Sequence, residues 1–287
     1  MFTTIIATET LAGHLDGDWV VVDCRFDLQN EQWGREQYQA AHIPGAVYAS
    51  LSHDMAGPKI GTNGRHPLPS IEGLSATLGR LGIAQGTQVV AYDQDSGMYA
   101  SRLWWLLRYV GHDAVAVLDG GWAKWIREGR PTRSGDEIRA AAKFIAAPRL
   151  GMRIGVDEVQ AQLGNEKTLL VDARAPERYE GQTEPIDRVP GHIPGAVNHH
   201  YRSNAADDFT LLPPPQLRES FLKTLGAHDP SHAVMYCGSG VTACHNLLAM
   251  THAGLPGARL YAGSWSEWSA DPARPVATGP EKPPAKP

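Results

Sequence analysis

The chain has 287 residues, 42% of them hydrophobic and 20% charged, with a formal net charge of −5. That length exceeds one ordinary domain and suits two of roughly 130 to 150 residues, each burying its own core. A pI of about 6.2 gives no basic footprint for nucleic acid, and no apolar run is long enough to span a bilayer.

Read in chain order, MFTTIIATETLAGHLDGDW has no basic region ahead of an apolar stretch and does not read as a secretory signal. The apolar run Trp19 to Val22 ends in Asp23-Cys24-Arg25, a buried strand with a charged exit. His42-Ile43-Pro44-Gly45-Ala46-Val47 follows. LPSIEGLSATLGRLGI has helical periodicity and precedes the short strand Val89-Val90-Ala91-Tyr92. A loop at Asp93 leads into a helix from Ala100 to Val110, then a strand ending in Leu118-Asp119-Gly120-Gly121-Trp122.

The same series recurs in the second half. Leu169 to Val171 ends in Asp172-Ala173-Arg174, and the hexapeptide returns as His192-Ile193-Pro194-Gly195-Ala196-Val197. PPPQLRESFLKTLGAHD precedes the strand Ala233 to Tyr236, a glycine loop, a helix from Thr242 to Ala253, and Tyr261-Ala262-Gly263-Ser264-Trp265. Such ordered self-similarity is the mark of a duplication. Alternating strands and helices predict an α/β chain of two tandem domains, each a parallel sheet with helices on both faces. The boundaries implied are 1–135, a linker 136–152 of Ala, Arg, Gly and Pro without periodicity, and 153–277. Residues 278–287 are proline-rich and charged and read as a flexible tail.

Three cysteines, Cys24, Cys237 and Cys244, cannot all pair, and none has the Cys/His spacing of a zinc site. Reduced thiols in a cytoplasmic setting, with no disulfide and no metal, are the expectation. Cys24 and Cys244 read as small buried apolar residues. Cys237 differs because strand, glycine loop and helix converge on it in Cys237-Gly238-Ser239-Gly240-Val241-Thr242. Ligands of open α/β sheets bind beyond the carboxyl ends of the strands, and a glycine turn entering a helix aims backbone N–H groups inward. That partial positive charge cradles an anion and favours the Cys237 thiolate, the nucleophilic form. The matching place in the first half is Asp93, so the first domain is expected to be catalytically silent and to supply a wall of a cleft.

These residues resemble the tandem-domain rhodaneses, which include thiosulfate and 3-mercaptopyruvate sulfurtransferases. The resemblance spans nearly the whole chain: the paired HIPGAV segments, the paired Asp-x-Arg strand ends, GGW and GSW, and the loop CGSGVTA at Cys237. It implies a persulfide on Cys237 and no metal or organic cofactor. The sulfur then passes from a small-molecule donor to a thiol, a thioredoxin-like dithiol or cyanide, with no nucleic-acid or membrane partner. In this family, cysteine loops rich in Arg and Lys accompany thiosulfate, whereas the uncharged CGSGVT form is similar to that of mercaptopyruvate enzymes. Arg178 and Arg188 align with two arginines that grip the donor's carboxylate and keto group, the interval being one residue longer than the family pattern. Gly238, Gly240, Val241 and Thr242 complete the substrate-binding set. A Ser/His/Asp relay of the mercaptopyruvate enzymes matches Ser239 and His66, while its acidic position falls on Ser50, with Asp54 nearby.

The repetition of Asp172, Arg174 and His192 as Asp23, Arg25 and His42 argues for a structural network, since the copy lies in the half whose loop has Asp93 in place of the cysteine. The tryptophans, among them Trp104, Trp105, Trp265 and Trp268, read as core. A cysteine phosphatase would need Arg six positions after the cysteine, where Ala243 stands.

Overall fold

The structure, a computed structural model, describes residues 1–280. Residues 281–287, most of the expected flexible tail, lie outside the described residues. The chain divides into two compact units, one of Met1–Gly57, Pro69–Arg149 and Ala206–Leu211, the other of Pro58–Leu68, Leu150–Ala205 and Leu212 onward.

In the first unit the elements are β1 (Ile5–Ile6), α1 (Thr8–Ala12), β2 (Val20–Asp23), α2 (Trp33–Ala40), β3 (Val47–Tyr48), α3 (Ile71–Arg80), β4 (Val89–Tyr92), α4 (Ala100–Tyr109), β5 (Val115–Leu118) and α5 (Gly121–Arg127). The second unit repeats them as β6 (Arg153–Ile154), α6 (Val156–Ala161), β7 (Leu169–Asp172), α7 (Pro176–Tyr179), β8 (Val197–Asn198), α8 (Pro214–Leu225), β9 (Ala233–Tyr236), α9 (Thr242–His252), β10 (Arg259–Tyr261) and α10 (Ser264–Trp268). Each unit has a five-stranded sheet, in the orders β1-β5-β4-β2-β3 and β6-β10-β9-β7-β8, and every strand pair is parallel. The α/β architecture expected from the alternating pattern is therefore present twice.

Parallel strands covered on both faces must be apolar throughout, and β2, β4, β5, β7 and β9 are buried along their whole length. The helices that follow β4 and β9 are buried on almost every side: α4 hides both Trp104 and Trp105, and α9 hides the run from Ala243 to Met250. The strand-exit motif is a staple in both units. Arg174 donates to both Asp172 oxygens and to the Gly191 carbonyl, just as Arg25 donates to Asp23 and the Ala41 carbonyl. Trp265 stacks under Arg174 as Trp122 does under Arg25.

The segment expected as a linker is tied to the first unit. Ala142, Ala147 and Arg149 donate backbone hydrogen bonds to Gly79, Val110 and Tyr109, and Phe144 is buried. Before the short 3-10 turn at Leu150–Met152 it forms neither helix nor strand and carries no apolar period, which is why the sequence shows only a change in composition. Thr278 and Gly279 are likewise placed: the Gly279 N–H meets the Glu180 carbonyl at 2.9 Å, and Thr278 lies against Gly181 and Gly191.

A buried polar network braces α9. His199 hydrogen-bonds Thr224 at 2.8 Å and Asn204 at 2.9 Å, and Asn204 and His199 each hold Asn246. Burial pushes the His199 pKa down from its ordinary value. Below pH about 6.5 the unfolded chain then takes up a proton that the folded chain refuses, so this contribution to stability is lost as pH falls. Thermal melts at pH about 7 and about 5.5 should show a larger drop for the wild type than for His199→Gln; parallel slopes would remove His199 as the cause.

Candidate active site

The two units have the same wiring at the end of their central strands. In the first, Trp122 N–H donates to the Asp93 carbonyl at 2.8 Å and Ala123 to Gln94 at 3.1 Å. In the second, Trp265 donates to the Cys237 carbonyl and Ser266 to Gly238, both at 2.9 Å. Asp93 and Cys237 therefore occupy equivalent positions. In the first unit the loop folds around the Asp93 carboxylate, which accepts backbone N–H groups from Gly97 at 3.0 Å, Tyr99 at 2.6 Å and Ala100 at 3.0 Å. Burial, with Asp95 beside it, pushes this carboxyl up to about 6 against the pull of those donors. The first cradle is filled by its own side chain.

In the second unit the thiol takes that place. Cys237 is 2% exposed, and its Sγ receives the Gly240 N–H at 3.1 Å. Gly240 has φ of +74°, and a Cβ there would fall 2.4 Å from the Ala262 carbonyl oxygen. Only glycine allows this turn. Val241 is buried beside the loop, and Thr242 opens α9.

The backbone of Cys237 is fixed from a second side. Its N–H donates to Ser264 Oγ at 3.1 Å, and that hydroxyl donates to the Tyr261 carbonyl at 2.9 Å. Ser264 has φ of +56°, one of two non-glycine residues in the left-handed region among those described. The equivalent residue of the first unit, Gly121, has φ of +51°. Where no thiol is held the position is glycine; where the thiol sits, a serine tolerates a strain of about 1 kcal/mol and contributes a hydroxyl.

Two guanidinium groups reach Gly238. A Cβ on that glycine would lie 2.8 Å from Arg65 Nη2 and 3.7 Å from both terminal nitrogens of Arg178. Burial lowers the Arg65 pKa, and its nearness to Cys237 opposes that shift only in part. Arg178 is held by Glu184 at 2.6 Å and Asp187 at 3.0 Å, and Asp187 also pairs with Arg65. Arg188, the other arginine expected from the sequence, is exposed; the second guanidinium against Gly238 belongs to Arg65. The sequence signal was available in GRHPLP, where Arg65 stands next to His66. His66 is buried, with Nδ1 2.8 Å from Ser239 Oγ. Asp54 is engaged within the first unit, accepting the Ser50 N–H at 2.8 Å and pairing with Arg80.

Cys24 and Cys244 are fully buried. The Cys244 thiol donates to the Gly240 carbonyl at 3.2 Å, so it supports the loop from the first turn of α9. Asp172, Arg174 and His192 form buried structural contacts, His192 with the Tyr179 carbonyl at 2.8 Å. The eight-tryptophan inventory resolves as expected at Trp104, Trp105, Trp265 and Trp268, all 2% exposed or less. Among the described residues no cluster of three or more His, Cys, Asp or Glu is arranged to hold a metal ion, and no helix is long and apolar enough to cross a membrane.

Comparison with known proteins agrees with this geometry. The model of the rhodanese-like domain matches twice, over residues 7–128 and 155–271. A Pseudomonas aeruginosa protein named "Probable 3-mercaptopyruvate sulfurtransferase" is 45% identical over 96% of this chain and 98% of its own. The thiosulfate sulfurtransferase of Mus musculus is 34% identical over 93% of this chain and 92% of its own. The structure of 3-mercaptopyruvate sulfurtransferase from Leishmania major superposes with a TM-score of 0.83 at 30% identity, covering 93% of this chain and 74% of that one. With two parallel sheets of the same order, an equivalent loop in each and a thiol in only one, the chain belongs to the rhodanese family and is a tandem-domain sulfurtransferase.

Proposed function

We propose that the enzyme transfers sulfur from 3-mercaptopyruvate to a thiol acceptor through a persulfide on Cys237. The observation that carries this is the thiol held under the Gly240 N–H with the guanidiniums of Arg65 and Arg178 meeting at the next residue. The Cys237 thiolate attacks the donor's sulfur, forming the S–S bond as the carbon–sulfur bond breaks. The electron pair leaves on carbon as the pyruvate enolate, which is protonated to pyruvate. Arg65 and Arg178 bind the donor's carboxylate and counter the charge developing on the enolate oxygen. Arg188 is exposed and takes no part in this scheme. Backbone N–H groups of the loop from Gly238 to Thr242 receive the outer sulfur. The Ser239 hydroxyl, hydrogen-bonded to His66, supplies a proton relay to the leaving enolate.

A small thiol, a thioredoxin-like dithiol or cyanide then takes the outer sulfur and restores the thiolate, giving ping-pong kinetics. The covalent persulfide is the only carrier this scheme requires, without metal or organic cofactor. The first unit, its cradle filled by Asp93, is silent in this reading, with boundaries near 1–135 and 153–277. Three free, buried cysteines support a reducing, cytoplasmic setting.

The deciding assay compares kcat/KM for 3-mercaptopyruvate with a thiol acceptor against thiosulfate with cyanide. A preference for mercaptopyruvate supports the reading, and a preference for thiosulfate replaces the donor. Arg178→Ala should cost about 10- to 100-fold in kcat/KM for mercaptopyruvate, as expected for losing a charge-assisted contact of ~1.5–3 kcal/mol. An unchanged rate would take Arg178 out of the donor site.

A further inference from the structure

Resting on the reading of Cys237 as the sulfur carrier, we infer that Asp187 selects the donor by charge, admitting monoanions and resisting dianions at the site formed by Arg65 and Arg178. Asp187 has a side chain only 4% exposed, yet it lies between two guanidiniums. One oxygen pairs with Arg65 Nη1, the other accepts Arg178 Nη2 at 3.0 Å. Its placement is built in: Glu184 accepts the Asp187 backbone N–H at 3.0 Å and the Ile186 N–H at 3.1 Å, turning the segment so that the carboxylate faces the arginines.

The consequence follows from the balance of charges. Glu184 is shared between Arg174 and Arg178, and Asp172 is committed to Arg174. Those four groups sum to zero. Arg65 and Asp187 also cancel, so the site carries one negative charge whenever Cys237 is in the thiolate form that the proposed attack requires. A donor with a single carboxylate meets two guanidiniums and moderate repulsion; a donor with two charges meets twice that repulsion in a partly desolvated site. The uncharged loop from Gly238 to Thr242 adds no cation to offset it. Removing the Asp187 carboxylate therefore changes the charge beside Arg65 and Arg178 without touching the Asp172–Arg174 staple.

The test compares wild type, Asp187→Asn and Asp187→Glu. Asp187→Asn should raise the ratio of kcat/KM for thiosulfate over that for 3-mercaptopyruvate about tenfold, chiefly through KM for thiosulfate. Asp187→Glu, which keeps the charge, should leave the ratio near wild type. A binding measurement separates this inference from the donor assignment: protection of Cys237 from alkylation by sulfate and by pyruvate needs no turnover. Asp187→Asn should tighten sulfate protection about tenfold and pyruvate protection less. Equal losses with both donors, or an equal ratio change in Asp187→Glu, would make Asp187 a structural residue and overturn the inference. Should Asp187→Asn fail to fold, the Asp187→Glu ratio and wild-type protection by sulfate against pyruvate still decide, tight sulfate protection contradicting it.

Discussion

Cys237→Ser should reduce sulfur transfer to the level of the buffer while the protein keeps its melting temperature. Serine is close to cysteine in volume, and the Cys237 backbone bonds to Ser264 and Trp265 do not involve the thiol. What is lost is the nucleophile: a hydroxyl without a strong base stays protonated at neutral pH, and it cannot form the sulfur–sulfur bond on which turnover depends. Two readings make the result specific. Wild-type protein incubated with donor alone should gain the mass of one sulfur atom, and the serine variant should gain none. Cys24→Ser should gain it as wild type does, because that thiol is fully buried in the first unit. A sulfur-loaded Cys237→Ser protein would move the carrier to another residue.

Asp172→Ala should have the largest effect on stability. Arg174 is 1% exposed and Asp172 0%, and the pair is bidentate, Nε lying 3.1 Å from one carboxylate oxygen and Nη2 2.6 Å from the other. Despite burial, the Asp172 carboxylate helps push the Arg174 pKa upward. Removing the carboxylate leaves a buried guanidinium with Glu184 and one carbonyl as partners, an imbalance that costs about 3–5 kcal/mol. Urea denaturation should show the second unit unfolding first, ahead of a first unit whose Asp23–Arg25 pair is intact. A loss below ~1 kcal/mol would mean that Glu184 and water compensate. The same substitution at Asp23 should invert the order of unfolding.

Much of this was legible from the residues. HIPGAV occurs twice because the turn at Gly45 and Gly195, with φ of +76° and +78°, recurs at the same place in both sheets. The apolar tetrapeptides before Asp93 and Cys237 announced the strands that carry the loops. Other features left no periodic trace. The segment Pro58–Leu68 groups with the second unit although it lies in the first half of the chain. It is anchored by Arg65 N–H on Ser266 Oγ at 3.0 Å and by Gly64, where a Cβ would meet the Gly263 carbonyl at 2.7 Å. Such irregular backbone is specified by distant partners, so Arg65 could not be placed beside Gly238 by counting along the sequence. Alignment by motif gave Arg188 that role instead. Ser264 was visible only as part of GSW, since a left-handed φ at serine is dictated by tertiary contacts.

The carboxylate of Asp93 shows how a repeated loop can be closed off without any change of the surrounding fold. An empty ring of backbone N–H groups would be a standing liability, drawing stray anions or collapsing. By seating a side chain of its own in that ring, the first unit satisfies those donors internally and fastens the loop to the strand end. The two units thus share one scaffold whose equivalent loops enclose different groups, a carboxylate in the first and a thiol in the second.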